Sequence, residues 1–120
     1  MGEKRKFVRI DVYTKVEYTI LPMHDRTLRS ESKNISQGGI CILAKEEISK
    51  GTFLHLRFYI PDSEQTFIEC LGEAAWQKRA DNGYLTGIEF RDLDVAKELK
   101  INMFVLRFLK KVKEYDNIPS

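Results

Sequence analysis

Two short stretches of the sequence carry residue types suited to binding phosphate and guanine groups. The stretch RKFVR places Arg5 and Arg9 four residues apart, and NISQGG places Asn34, Ser36 and Gly39 just before an apolar run. Guanidinium groups bind phosphates through bidentate, charge-assisted hydrogen bonds, and they also match the O6 and N7 acceptors of guanine. An amide and a hydroxyl can fix the orientation of a base, and a glycine lets it approach the backbone closely.

Catalytic and metal-binding chemistry finds little support in the sequence. His24 and His55 have no sequence partners that would form a nucleophile or metal set. Ser36 lacks the GxSxG context of a hydrolase nucleophile, and QGG is too short for a phosphate loop. Cys41 and Cys70 lie in apolar runs without CxxC spacing, so we expect them to be reduced core thiols. We therefore expect a protein that is not an enzyme, with no catalytic residues, metal or cofactor.

Length and charge indicate one globular domain with a basic N-terminal arm. The chain has 120 residues, of which 42% are hydrophobic and 32% are charged. It contains no apolar run that approaches the roughly 20 residues of a membrane span, and its first residues lack the apolar core of a signal peptide. We therefore expect the cytoplasm as its location. Four basic side chains against one acidic one give residues 1–10 a net charge of +3, which suggests an anionic partner, although a solubilising tail is the commoner explanation of a basic terminus.

Alternating polar and apolar residues predict six strands. The predicted strands span residues 10–20, 26–35, 40–44, 53–60, 66–79 and 84–90. The connections between them are short and contain no helix, which favours an antiparallel barrel or sandwich over an α/β fold. Gly72 predicts a bulge or sharp bend in the fifth strand. The sequence ADNG at 80–83 predicts a hairpin turn, because Asn-Gly tolerates positive φ at both central positions.

The period becomes helical from Asp94 to about Tyr115, and either Asp92 or Asp94 can cap the helix. One apolar stripe consists of Ile101, Phe104, Val105, Phe108, Val112 and Tyr115. A second stripe consists of Val95, Leu99, Met103, Leu106 and Leu109. A helix with two stripes either packs on the barrel and meets something else, such as a second copy of the chain, or lies deeper in the fold.

In combination, these features resemble the PilZ domain, the bacterial receptor module for cyclic di-GMP. The pattern of that family is Arg-x-x-x-Arg followed by Asp/Asn-x-Ser-x-x-Gly, and RKFVR and NISQGG match both halves in order. The segment GEAAWQKRADNGYLTGIEF at 72–90 resembles the penultimate hairpin of the family. The resemblance implies a mainly β fold, a six-stranded antiparallel β-barrel of the split type with a C-terminal α-helix. It divides the single domain of residues 1–120 into a flexible arm (1–9), a barrel (10–90) and a helix (92–115).

The resemblance also implies roles for the residues of both motifs. Arg5 and Arg9 would grip the phosphates and guanines of the ligand. Asn34 and Ser36 would hydrogen-bond a guanine, and Gly39 would hold the turn open. Asn34 stands where we expect most members to carry aspartate, so it keeps an acceptor oxygen but lacks the negative charge.

Three further residues are candidates for the ligand site. Lys4 stands where many members have another arginine, and it can neutralise a phosphate only as a point charge. Gly38 precedes Gly39 in the same turn. Trp76 could offer its indole to a guanine face, and plain core packing is an equally good interpretation.

The resemblance implies a cyclic di-GMP receptor that changes conformation on binding and signals to an unidentified downstream protein in trans. The second apolar stripe of the C-terminal helix could also mediate a homodimer. Two alternatives stay open. One is a barrel that binds single-stranded nucleic acid, which predicts basic residues spread along a groove rather than gathered in one arm. The other is a ligand-free adaptor of pilus or motility assemblies, which the intact motifs disfavour.

Overall fold

The computed structural model describes residues 9–22 and 26–116, with side chains up to residue 111. Six strands precede one helix, as the sequence predicts. Their bounds are β1 Lys15–Ile20, β2 Leu28–Ile35, β3 Gly39–Ala44, β4 Phe53–Tyr59, β5 Phe67–Ala80, β6 Gly83–Phe90 and α1 Val95–Asp116. His24 lies outside the described residues, as does the expected N-terminal arm except for Arg9.

The strands form a closed antiparallel barrel in the order β1-β2-β3-β6-β5-β4. The barrel closes because β1 pairs with β2 on one side and with β4 on the other. The predicted fold class, a six-stranded antiparallel barrel with a C-terminal helix, is therefore confirmed. Closure matters for the outer surface, because every strand has a paired neighbour and adjacent strands present their outward side chains side by side.

The barrel interior is filled by the inward-facing half of each alternating pattern. Ile10, Val12, Val16 and Tyr18 are buried on the same side, as the period of two predicts. The phenol of Tyr18 donates a hydrogen bond to Glu46 Oε1 at 2.7 Å. Burial, together with this carboxylate, raises the pKa of Tyr18 above its ordinary value.

Helix α1 packs on the barrel with one of its two apolar stripes. Ile101 and Val105 are buried in the core, while Phe104 and Phe108 pack partly buried against it. Asp94 caps the helix, since its Oδ1 accepts the backbone N–H of Lys97 at 2.9 Å.

The second stripe of α1 lies largely on the surface. Val95 is 80% exposed, Leu99 55%, Met103 40% and Leu106 56%, whereas Leu109 is partly buried. A helix sunk deep in the fold would hide both stripes, so this interpretation is wrong. No helix in the described ranges is long and apolar enough to cross a membrane.

Two local expectations about β5 and its hairpin need correction. The bulge of β5 lies between Ala74 and Trp76, not at Gly72. Gly72 stays in register and is needed for packing, because a Cβ there would lie 2.4 Å from Ile88 Cγ2. The hairpin does have a two-residue loop at 81–82, but there only Gly83 has positive φ, at 152°.

The contrast between the two helix stripes predicts unequal effects on stability. Ile101→Ala removes a buried side chain and should lower the free energy of unfolding by about 2–5 kcal/mol. The matched control Leu106→Ala truncates an exposed side chain of the same helix and should change it by about 0.5 kcal/mol or less. Urea unfolding followed by circular dichroism measures both, and equal effects would contradict the packing of α1.

Candidate functional site

The segment that precedes β1 brings Arg9 to the turn between β2 and β3. Ile10 and Ile35 form an antiparallel bridge, in which each N–H donates to the carbonyl of the other at 3.0 Å. This register places Arg9 opposite Ser36. The two motifs that are far apart in the sequence therefore meet at one end of β2.

Arg9 and the polar residues of the turn lie on the outer face of the barrel. Ile10 and Ile35 point into the core, so their neighbours Arg9, Asn34 and Ser36 point outward. This placement brings Arg9 close enough to Cys41 to act on its thiol. Burial raises the pKa of this thiol, and the positive charge of Arg9 lowers it in part.

Ser36 organises the turn with both its backbone and its hydroxyl. Its N–H donates to the carbonyl of Gly39 at 2.9 Å, and its Oγ accepts the N–H of Gly38 at 3.2 Å. The carbonyl of Gly38 in turn accepts the N–H of Phe90 at 2.9 Å, which ties the turn to the end of β6. The turn is thus a fixed part of the barrel, and it can present side chains to a ligand without reorganising.

Gly39 is required because β3 and β6 approach each other closely. It pairs with Glu89, and a Cβ at this position would lie only 2.3 Å from the carbonyl oxygen of Ile88. A side chain here would push the strands apart, so only glycine fits. The consequence for the surface is a bare stretch of backbone beside Ser36.

A row of four cross-strand partners continues the site around the barrel. Asn34 pairs with Cys41, Cys41 with Gly87, and Gly87 with Trp76. The side-chain amide of Asn34 has no hydrogen bond within the described residues, so its NH₂ donor and its oxygen acceptor are available to a ligand.

Trp76 lies flat over Gly87 on the outer face, where its side chain is 38% exposed. A Cβ on Gly87 would lie 2.2 Å from the indole Nε1, so the missing side chain is what lets the ring settle against the sheet. The interpretation of Trp76 as a core residue is therefore wrong.

Cys41 is a free, buried thiol, as the sequence predicts. It packs in the outer row of the site, however, and not in the cluster that fills the barrel. The alternation in β3 carries the signal, because Ile40 and Ile42 are both in the core and the residue between them must face outward. Cys70, by contrast, is a core thiol, and burial raises its pKa to about 12.

Two candidate residues, Lys4 and Arg5, are outside the described residues. Across the part of the chain that the structure describes, no group of three or more His, Cys, Asp or Glu side chains could hold a metal ion. A groove of about 840 Å³ runs between α1 and residues 61–64, and no predicted site residue lines it. The candidate site is therefore an open surface on the barrel, away from this groove.

A family model described as the PilZ domain matches residues 3–107. The chain belongs to the PilZ domain family. The matched residues include both sequence motifs and all six strands of this PilZ domain. Among curated proteins, none matches the sequence of this PilZ domain.

Solved structures share the fold of this PilZ domain. The inhibitor of motility MotI (DgrA) of Bacillus subtilis superposes with a TM-score of 0.78 at 21% identity, covering 92% of this chain and 53% of MotI. YcgR of Escherichia coli in complex with c-di-GMP gives 0.76 at 14% identity, covering 96% and 50%. The K. pneumonia MrkH–c-di-GMP complex gives 0.72 at 13% identity, covering 93% and 54%. The chain thus spans about half the length of these three proteins.

Proposed function

We propose that this PilZ domain is a receptor that binds cyclic di-GMP on the outer face of its barrel. The observation that carries the proposal is the meeting of Arg9 with Asn34 and Ser36 on one face. The YcgR and MrkH structures with bound c-di-GMP, which share the fold, support this choice of ligand. The protein would act by binding and not by catalysis, without a cofactor, and the expected cytoplasmic location in a bacterium is part of the proposal.

The residues of the two motifs would each contact a different part of cyclic di-GMP. Arg5 and Arg9 grip the phosphates and stack on or pair with the guanines. Asn34 and Ser36 hydrogen-bond one guanine, and the bare backbone at Gly39 lets the base lie close to the sheet. The indole of Trp76 offers a second flat surface for stacking, which contributes about 1–3 kcal/mol for a nucleobase on an aromatic ring.

Supporting contacts come from two residues beside the motifs. Lys4 adds a positive charge near the phosphates without the planar fork of an arginine. Gly38, through its hydrogen bonds to Ser36 and Phe90, keeps the turn in the shape that the base meets.

Arginine substitutions test the ligand and the site together. Arg5→Ala and Arg9→Ala should each weaken cyclic di-GMP binding about 10- to 100-fold, because each removes charge-assisted hydrogen bonds of about 1.5–3 kcal/mol. Isothermal titration measures the affinity and the stoichiometry. Arg29→Ala is the matched control, since this arginine is exposed at the opposite end of β2 and should leave affinity unchanged.

The same titration separates the alternatives. Binding of a short single-stranded oligonucleotide in preference to cyclic di-GMP would favour the nucleic-acid-binding barrel. Absence of binding to either would favour a ligand-free adaptor. Wild-type affinity for cyclic di-GMP in both arginine variants would contradict the site assignment.

Binding would also change the conformation of the N-terminal arm. In this proposal residues 1–9 close over the ligand, because Arg5 and Arg9 reach it from a segment ahead of β1. Ordering backbone costs about 1–2 kcal/mol per residue, which the charge-assisted contacts must exceed. The closed arm then forms part of a new surface for a partner.

A second route connects the turn to helix α1. Gln37, inside the Asn-x-Ser-x-x-Gly motif, donates a hydrogen bond from Nε2 to Glu98 Oε1 at 3.0 Å. Glu98 lies in the first turn of α1, one residue before the exposed Leu99. A ligand that displaces the side chain of Gln37 would therefore break this hydrogen bond and affect the start of the helix that carries the exposed stripe.

We infer that the exposed stripe of α1 meets a partner with an apolar surface flanked by acidic residues. The exposed stripe consists of Val95, Leu99, Met103 and Leu106. Three basic residues follow it, Arg107, Lys110 and Lys111, and they form no ion pair with the other described residues. A parallel pairing of two copies of α1 would bring the same basic end of each helix together, whereas an antiparallel pairing would place this end beside the first turn of the other helix, which contains Glu98. We take an acidic protein as the partner, and an antiparallel homodimer stays the alternative.

Amide hydrogen exchange tests the signalling proposal. Saturating cyclic di-GMP should slow exchange in residues 2–9 and change it in residues 95–100 of the wild type. Gln37→Ala should keep the first effect and lose the second, because only the link to Glu98 is removed. Glu64→Ala is the control, since it breaks the Lys100–Glu64 ion pair of 2.6 Å that joins the helix to another loop.

Three results would contradict the signalling proposal. If saturating ligand leaves the exchange of residues 2–9 unchanged, closure of the arm is ruled out. Identical responses of α1 in the wild type and Gln37→Ala would rule out the hydrogen bond as the link. Light scattering that finds a dimer, with or without ligand, would replace the acidic partner with a second copy of the chain.

A further inference from the structure

We propose that Glu89 reads the hydrogen-bond donors of a guanine and so makes this site selective for guanine over other purines. The inference rests on the proposed function, because it assigns a residue to the base that Ser36 and Asn34 would hold. Nothing in the two sequence motifs points to Glu89, which lies about 50 residues further along the chain on a strand that the barrel brings alongside.

Glu89 lies beside the bare backbone of the site. It is the cross-strand partner of Gly39, and Gly39 accepts the N–H of Ser36 from its other side. Ser36 and Glu89 are therefore neighbours of the same glycine on opposite sides, about two strand spacings or 10 Å apart. Gly39 puts no side chain between them, which leaves room for a flat base.

Glu89 points outward with the rest of the site. Ile88 is in the core, so the alternation of β6 sends Gly87 and Glu89 to the outer face. Its side chain is 55% exposed. The indole of Trp76 lies over Gly87, which is two residues before Glu89 on the same face. A base over Gly39 would thus have Ser36 at one edge, Glu89 at the other and the indole nearby.

The carboxylate of Glu89 is held in place by Arg91. The Arg91 Nη2 atom lies 2.8 Å from Glu89 Oε1, and its Nε atom lies 2.8 Å from Glu73 Oε1. One guanidinium shared by two carboxylates leaves a net charge of −1. The hydrogen bond to Glu73, and then the negative charges of both glutamates, raise the pKa of Arg91, so this guanidinium stays charged and occupied.

This charge distribution suits one edge of guanine. Guanine presents the O6 and N7 acceptors on one edge, and the N1–H and 2-amino donors on another. An arginine matches the acceptors, whereas a carboxylate has two oxygens that accept both donors side by side. The amide of Asn34 has one acceptor oxygen and cannot supply such a pair. The negative patch at Glu89 also repels phosphates, so it helps to orient the ligand toward Arg9.

The test compares cyclic di-GMP with its hypoxanthine analogue, cyclic di-IMP, which lacks only the 2-amino group. The wild type should prefer cyclic di-GMP by about tenfold or more. Glu89→Gln should weaken binding of cyclic di-GMP about tenfold and remove most of the preference, because the amide offers one acceptor and one donor. Glu73→Gln is the matched control. It shares the Arg91 contact one strand further from Gly39, and it should keep both affinity and preference.

The affinities are measured by titrating each full-length variant with both nucleotides, and thermal melting verifies that each variant is folded. Each possible result then supports or overturns the inference. Wild-type affinity and preference in Glu89→Gln would overturn the inference. Equal losses in Glu73→Gln and Glu89→Gln would overturn it too, because the effect would then pass through Arg91. A wild type that binds cyclic di-GMP and cyclic di-IMP equally would also overturn it while leaving the receptor proposal intact. A wild type that binds neither would overturn the receptor proposal itself.

Discussion

The antiparallel bridge between Ile10 and Ile35 is the contact on which the candidate site depends. Two backbone hydrogen bonds of 3.0 Å and two buried side chains hold the segment before β1 against the end of β2. This one contact fixes where Arg9 enters the surface, and it sends Arg9, Asn34 and Ser36 to the same side of the sheet. A shift of one residue in this register would turn Arg9 toward the core and its isoleucine neighbour toward solvent, which burial of apolar surface opposes.

Missing side chains shape the surface that this contact creates. Gly39 allows β3 and β6 to approach, and Gly87 allows the indole of Trp76 to lie against the sheet. The result is a surface with no side chain at Gly39 or Gly87, bordered by Arg9 on one side and by the carboxylate of Glu89 on the other. A planar ligand with phosphates at one end and hydrogen-bond donors at the other fits this polarity. The hydrogen bond from Gln37 to Glu98 then connects the same region to the helix that carries the exposed stripe.

Much of this arrangement could be predicted from the sequence, because alternation and turn chemistry act locally. The six strands, the inward residues before and along β1, and the cap at Asp94 follow from periods and residue types. The bulge was misplaced, because Gly72 has a second use in tight packing that the sequence does not distinguish from a bend. Strand neighbours could not be predicted, since β3 lies beside β6 only through closure of the barrel. Glu89 could not be predicted for that reason, and Trp76 was ambiguous because its partner Gly87 was not known, whereas the outward position of Cys41 follows from the alternation within β3.

The central claim is that cyclic di-GMP binds the outer face around Ser36, Gly39 and Trp76, and amide chemical-shift mapping tests it most directly. Titration of ¹⁵N-labelled protein should shift the backbone amides of Ser36, Gly39 and Gly87 together with the indole N–H of Trp76, the single tryptophan of the chain. It should leave residues 61–64, in the groove beside α1, unchanged. Shifts confined to that groove, or the absence of any shift at saturating ligand, would contradict the account.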